Sequence, residues 1–345
     1  MLEVDGGQKS GSGTILRLAV AVAGILGEPL HMYNIRKKRS NPGLRPQHLE
    51  SLLTAAKLCS AEVKGATVGS KEIWFYPQEI SGGPYTAEIG TAGSIPMLIM
   101  TVLPICAFAR KDVELRILKG GTDAAHSPTI NYLLNVFLPH LKLMGLNAEI
   151  NVIKYGYYPK GMGEVTLRVT PCRQLRPIRI EKFGEVTEIG GVSVCTFLEE
   201  RRVAERQMVA AKELLKKHGY IPKITVINDR SNPLQKGSSI TLWAKTSEGC
   251  LLGSDAIGEL RKRSEVVGKE AAEKLLVELE AEATVDIHMA DMLIPYVALA
   301  KGCSVFKVRD LTDHMNTNIW LMETLLGSKF KLSRENSLIR VEKTE

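Results

Sequence analysis

The sequence has no run of apolar residues long enough to cross a lipid bilayer. Its longest such stretch, residues 95–109, contains Pro96 and Pro104, and it falls short of the roughly 20 residues that a membrane-spanning helix needs. The first residues, Met1–Asp5, also lack the basic start of a secretory signal. We therefore expect a cytoplasmic protein with no membrane partner.

Cysteine is scarce and scattered, which bears on metal and disulfide chemistry. The six cysteines form no Cys-x-x-Cys pair, and no histidine stands near one at metal-ligand spacing. This pattern disfavours a zinc site and a disulfide framework, and it predicts reduced thiols. The six residues are Cys59, Cys106, Cys172, Cys195, Cys250 and Cys303.

Positive charge is present and is concentrated in one short segment. The net charge of +7 does not repel anionic partners. Four consecutive cations run from Arg36 to Arg39, and Arg45 follows soon after. The sequence Asn41–Pro46 is typical of a turn, which would hold these cations on a loop. The cluster is either a solvated face or a phosphate-binding loop, and the sequence alone leaves both open.

The chain alternates strand and helix patterns, which predicts an α+β protein. Two units of roughly 80 residues share the order strand, glycine-rich turn, helix, turn, helix, strands. Between residues 181 and 283 the sequence is richer in charge, and it predicts a smaller inserted α+β domain. Apolar helix and strand patterns then resume. We expect residues 1–180 and 284–345 to form one large repeated domain.

Three features are candidates for chemistry. The glycine-rich loop Asp5–Gly13 precedes a predicted helix, and free N–H groups at a helix start attract anions. Arg17 lies one turn into that helix, either reaching to the surface or aimed at an anion. His314 follows the strand 305–309 and precedes a helix predicted from Asn318, so we expect it on a loop. Imidazole can act as a covalent nucleophile, but spacing alone does not separate this role from that of an ordinary polar residue.

Several segments, in this order, resemble the RNA 3′-terminal phosphate cyclase family. The second and the last carry most of the resemblance. The segments are Gly6–Arg17, Ile35–His48, Gly90–Ser94 followed by Thr101–Pro104, Gly120–Asp123 with Ser127–Pro128, Gly156–Gly161, and Ala290–Asp291 with His314–Asn318.

The resemblance implies a fold and a reaction. The fold would have three repeated βαβαββ units similar to the C-terminal domain of bacterial translation initiation factor three, with a smaller inserted α/β domain. The reaction would use ATP to convert an RNA 3′-phosphate to a 2′,3′-cyclic phosphate, through a histidinyl-AMP and an RNA-adenylate. His314 would be the nucleophile. The implied phosphate and RNA contacts are Arg17, Arg36, Arg39 and Gln47, and the implied ATP contacts are Pro128, Asp291 and His314.

Three positions depart from the family pattern. Ser10 stands where the family has a glutamate close to a divalent metal, and Met100 and Met292 replace glutamines. A hydroxyl is a poor substitute for a charged oxygen ligand, so a requirement for Mg²⁺ or Mn²⁺ stays open and no metal ligand is assigned. The alternative function is a weak or inactive relative that binds RNA or ribonucleoprotein, as in ribosome assembly. An enolpyruvyl transferase, suggested by distant fold similarity alone, has no supporting motif.

Overall fold

The computed structural model describes residues 1–344 and has a mixed α+β architecture with four four-stranded sheets. This confirms the predicted α+β class. Among the described residues, no helix combines the length and the apolar character that a membrane crossing requires. The cytoplasmic location stays a prediction.

The first two sheets are each covered by helices that come from the same stretch of chain. Sheet one contains β1 (Leu2–Asp5), β2 (Leu30–Tyr33), β3 (Glu62–Lys64) and β4 (Ile73–Tyr76), with helices α1 (Gly13–Leu26) and α2 (Pro46–Leu58). Sheet two contains β5 (Gly83–Glu88), β6 (Val113–Gly120), β7 (Asn147–Lys154) and β8 (Gly163–Thr170). Its helices are α3 (Ile95–Cys106), α4 (Ile130–Tyr132) and α5 (Leu138–Leu143), the last two joined by a π-helical turn (Leu133–Phe137).

The remaining two sheets are interleaved in sequence. After β9 (Arg179–Ile180), the chain forms a separate sheet of β10 (Val186–Thr196), β11 (Lys223–Asp229), β12 (Gly237–Thr246) and β13 (Leu251–Ile257), with helices α6 (Val203–Lys217) and α7 (Ser264–Glu280) and a 3₁₀ turn (Glu199–Arg201). The elements that complete the sheet of β9 are α8 (Ile287–Leu299), β14 (Ser304–Val308), α9 (Asp313–Leu326), β15 (Lys329–Glu335) and β16 (Leu338–Thr344).

Three of the four sheets have the same strand order. Their orders are β1-β2-β4-β3, β5-β6-β8-β7 and β9-β14-β16-β15, so in each the fourth strand along the chain lies between the second and the third. In all four sheets the first pair of strands is parallel and the other two pairs are antiparallel. The sheet of β10 to β13 has the order β11-β10-β12-β13. The likeness to initiation factor three and the domain limits stay predictions.

The core lies where the helices of different sheets meet. Helix α1 packs against α2, α3 and α9, and most of its residues are buried. Its start is fixed by Ser12, whose side chain accepts a hydrogen bond from the Thr14 N–H, and its end by Gly27 in the left-handed conformation with φ 67°; both are common helix-end devices. This packing brings the first turns of α1, α2 and α9 to one place.

Two predictions from sequence need correction in detail. Helix α9 begins at Asp313 rather than near Asn318, so His314 lies on its first turn and not on a loop. The strands β2, β3, β9, β10 and β13 had no sequence prediction. Strands β2, β3 and β9 have four residues or fewer, β10 contains the adjacent glycines Gly190–Gly191, and β13 contains Gly253, so the apolar periodicity that marks a strand is short or interrupted.

Candidate active site

The glycine-rich loop before α1 is fixed on the arginine segment. Asp5 accepts hydrogen bonds from the N–H of Gly7 at 2.9 Å and from the Asn34 amide at 3.0 Å. On the other side of the loop, the Lys38 ammonium group donates to the carbonyl of Lys9 at 2.6 Å. The loop therefore has a defined position relative to the cations that follow β2.

The same loop contacts the helix that carries His314. The N–H of Ser10 donates to Thr317 Oγ1 at 3.2 Å. Thr312 caps the helix, since its hydroxyl accepts from the Met315 N–H at 2.9 Å. His314 thus lies in the first turn of a capped helix that contacts the glycine-rich loop, although more than 300 residues separate Ser10 from Thr317 in sequence.

Thr14 lies between His314 and Arg17. Its hydroxyl oxygen is 3.5 Å from His314 Nδ1 and accepts a hydrogen bond from Arg17 Nη2 at 3.1 Å. Burial lowers the pKa of His314, and the positive charges of Arg17 and Arg39 lower it further. The carboxylate of Asp313 acts in the opposite direction but does not outweigh them. The imidazole is therefore favoured in its neutral form, which a nucleophile requires.

Arg17 is buried without a counter-ion. It is 9% exposed, and among residues 1–344 no carboxylate lies within ion-pair distance of it. Burial, followed by the nearby charge of Arg36, lowers the pKa of Arg17 to about 10. A buried cation without a partner is costly for a fold, so this residue indicates a site for an anion.

Arg36 and its neighbours add further positive charge at the same place. The Arg36 guanidinium donates to the carbonyls of Asn41 at 2.5 Å and Gly43 at 2.9 Å, which fixes the turn. Burial and the charges of Arg45 and Arg39 lower the pKa of Arg36. In residues 1–344 none of these three arginines is ion-paired either. The cations predicted on a loop are confirmed there, and they converge with Arg17.

His48 is a residue of this site that the sequence reasoning did not single out. It is 5% exposed, and a Cβ added to Gly13 would lie 2.1 Å from its Nε2. Burial and the charges of Arg17, Arg36 and Arg45 lower its pKa to about 3. His48 is therefore a neutral ring that separates the first turns of α1 and α2. Its presence in the segment Ile35–His48 was the only sequence signal.

Gln47 connects the arginine segment to the second glycine turn. Its side-chain oxygen accepts from the N–H of Ser94 at 3.0 Å, and the Ser94 hydroxyl donates to Ser127 Oγ at 2.8 Å. Ser127 directly precedes Pro128, so these contacts link Gln47 to the segment expected near the nucleotide.

Asp291 supports the helix of His314. Its carboxylate accepts a short hydrogen bond from the Thr312 hydroxyl, and its carbonyl accepts from the Asn318 amide at 2.7 Å. Burial raises the pKa of Asp291 to about 7. Asp291 therefore contacts α9 at its capping residue, Thr312, and at Asn318.

The three departures from the family pattern fall in different surroundings. Ser10 lies in the site, and its hydroxyl contacts that of Ser12 at 3.0 Å. Met100 and Met292 pack with the hydrophobic core. Among residues 1–344, no group of three or more histidine, cysteine, aspartate or glutamate side chains could hold a metal ion. The described residues near Ser10 therefore offer no cluster of such side chains that would hold a divalent ion by itself.

These features define a class of site in which a neutral imidazole faces a cluster of unpaired arginines at converging helix starts. Such a site suits a phosphate-bearing substrate. The chain belongs to the RNA 3′-terminal phosphate cyclase family, whose sequence model matches residues 8–332.

Similar proteins cover nearly the full chain. An RNA 3′-terminal phosphate cyclase of Pyrobaculum neutrophilum is 42% identical over 333 residues, which is 96% of this chain and 95% of the relative. Proteins of the same name from Pyrococcus abyssi and Methanosarcina barkeri are each 43% identical, and cover 97% and 99% of this chain and 96% and 99% of the relative.

Proposed function

We propose that this protein is an ATP-dependent RNA 3′-terminal phosphate cyclase. The observation that carries the proposal is a neutral His314 beside arginines that have no carboxylate partner among residues 1–344. The names of the similar proteins support the enzyme, and they favour it over a relative that only binds RNA.

The proposed reaction has three displacements at phosphorus. First, His314 attacks the α-phosphorus of ATP, a P–N bond forms, and pyrophosphate leaves. Second, an oxygen of the RNA 3′-phosphate attacks the same phosphorus, and the imidazole leaves with its electron pair. Third, the neighbouring 2′-hydroxyl attacks the RNA phosphorus and loses its proton, and AMP leaves. The product is a 2′,3′-cyclic phosphate.

Thr14 and the arginines give this sequence a physical basis. If His314 Nδ1 carries the proton and points at the Thr14 oxygen, Nε2 has the free lone pair and is the attacking atom. Arg17, Arg36 and Arg39 would compensate the negative charge that develops during each displacement, with planar two-point contacts to phosphate oxygens. Gln47 would belong to the same phosphate and RNA contacts, and Pro128 and Asp291 would lie on the nucleotide side of the site.

Metal dependence differs in this proposal from the pattern that the family resemblance implies. Ser10 stands where the family has a glutamate, and the described residues contain no group of three or more metal-ligating side chains. The three proposed steps therefore do not rely on a metal held by protein ligands alone.

We also propose that the three sheets with the same strand order are the repeated units of the family. Residues 1–180 with 284–345 would be the large domain and 181–283 the inserted one. The position of the fourth sheet, between β9 and α8 in sequence, supports this division.

Covalent labelling tests the nucleophile. The protein is incubated with ATP labelled at the α-phosphate, with and without Mg²⁺, and acid-labile label on the protein is measured. We expect label on the wild type and none on His314→Ala. The matched control is His288→Ala, an exposed histidine close enough to influence the pKa of His314, which should keep its label. Equal labelling of wild type and His314→Ala would refute the assignment.

A further inference from the structure

The segment Gly156–Gly161 has no role in the chemistry described so far, yet it presents an unusual side chain. Tyr158 is 79% exposed, more than any other aromatic side chain among residues 1–344. Single exposed apolar side chains are common on protein surfaces, so the surroundings of this ring decide whether it serves a ligand.

The exposed ring is carried by a loop with fixed geometry. The Asn232 amide donates to the carbonyls of Tyr155 at 2.7 Å and Gly161 at 3.1 Å. Gln235 donates to the carbonyl of Tyr158 at 3.0 Å and accepts from the N–H of Lys160 at 3.2 Å. Both supporting side chains come from the connection between β11 and β12, so two parts of the chain hold Tyr158 outward.

The surroundings of Tyr158 are positively charged. Lys160 and Lys236 are exposed, as is Leu234 at 55%. Glu199, which lies close enough to Lys236 to interact with its charge, is paired with Arg230 at 2.7 Å. A free aromatic ring beside unpaired lysines matches a strand with flat bases and a charged backbone.

This surface continues from the candidate active site. A Cβ on Gly161 would lie 2.7 Å from the carbonyl of Thr91 and 2.9 Å from Ala92 Cα, so the loop rests on the second glycine turn. That turn ends in Ser94, whose N–H is bound by Gln47. The loop that carries Tyr158 therefore contacts the turn that Gln47 binds.

We propose that Tyr158, Lys160, Lys236 and Leu234 bind the single-stranded RNA that leads to the reacting 3′ end. The ring of Tyr158 stacks on a base, and the two lysines face backbone phosphates. Stacking on aromatic side chains with cations along the backbone is the usual way to bind single strands without regard to sequence. The inference rests on the proposed function, since it names where the rest of that substrate lies.

Binding measurements without ATP test this surface separately from the reaction. The affinity of the full-length protein is measured for 3′-phosphate and 3′-hydroxyl RNAs of about two and about twelve nucleotides. We expect Tyr158→Ala to weaken the binding of the longer RNAs by about five-fold or more. The loss of affinity for the longer RNAs should exceed the loss for the short RNAs by a factor of about five or more. Tyr158→Phe should restore the affinity. Lys160→Ala and Lys236→Ala should each lower the salt dependence of longer-RNA binding by about one phosphate contact.

The control is Ile221→Ala, which removes an equally exposed apolar side chain, at 81%, from another loop. It should bind all RNAs as the wild type does. Two results would overturn the inference: no RNA binding by the wild type, or equal effects of Tyr158→Ala on short and long RNA. Failure of the labelling test with His314 would leave the length-dependent loss in place, so the two proposals fail separately.

Discussion

Replacement of Arg17 by methionine should make the protein more stable and abolish its binding of phosphate. The side chain is 9% exposed, donates to Thr14 at 3.1 Å, and has no carboxylate partner within the described residues 1–344. Methionine has a similar length and no charge, so it removes the buried cation with little change in volume.

The expected gain follows from the pKa of the guanidinium. A fall of that pKa from 12.5 to about 10 corresponds to about 3 kcal/mol of folding free energy lost at neutral pH. Because the folded-state pKa lies below the unfolded one, this loss is fully present below about pH 10. Loss of the hydrogen bond to Thr14 reduces the expected gain in stability by about 1 kcal/mol. We therefore expect Arg17→Met to raise the free energy of unfolding by about 2 kcal/mol, and the Tm by about 2–4 °C.

Thermal unfolding with and without inorganic tripolyphosphate measures both effects. At about 100 times its Kd, the anion should stabilise the wild type by about 2.7 kcal/mol, and the variant by much less. Arg168→Met is the matched control, since Arg168 is exposed and pairs with Glu114 at 2.8 Å; its stability should change by less than about 0.5 kcal/mol. A lower Tm for Arg17→Met than for the wild type would refute the reasoning, because it would mean that the buried cation has a stabilising partner within the protein.

Two further predictions concern the buried contacts between the sheet of β10 to β13 and the rest of the protein. Asp286 caps α8 and accepts hydrogen bonds from the Tyr132 hydroxyl at 2.7 Å and from the Gly253 N–H at 2.8 Å. Asp286→Ala should therefore lower the free energy of unfolding in urea by about 3 kcal/mol or more, and Tyr132→Phe should lower it by about 1 kcal/mol. Equal losses for the two variants would contradict this prediction. Burial raises the pKa of Asp123 to about 7, above its unfolded value of 3.8, so its contribution to stability falls as pH rises through this range. Between about pH 5 and about pH 8, the free energy of unfolding should fall by about 3 kcal/mol less in Asp123→Asn than in the wild type. The same fall in both proteins would show that Asp123 does not titrate in this range.

The labelling of His314 and the RNA-length dependence at Tyr158 probe different parts of the protein. The first concerns the chemistry of one imidazole, and the second concerns a surface built by two separate stretches of chain. Together with Arg17→Met, they separate nucleophile, phosphate site and RNA path by independent measurements.

The sequence by itself determined the local features of this protein. The apolar spacing after the glycine-rich loop predicted α1, the turn Asn41–Pro46 predicted a loop of cations, and the segment patterns indicated the family. Each of these signals is contained in a short stretch of chain, where helical spacing, turn residues and motif order can be recognised directly.

Only the tertiary structure decided the environment of those residues. The contact between Thr14 and His314 joins positions 300 residues apart, and no local pattern specifies it. The same holds for the lack of a carboxylate beside Arg17 within residues 1–344, the burial of His48 against Gly13, and the outward position of Tyr158. Burial and charge pairing depend on all the neighbours in space, whereas helix starts, turns and strand periodicity depend on neighbours along the chain.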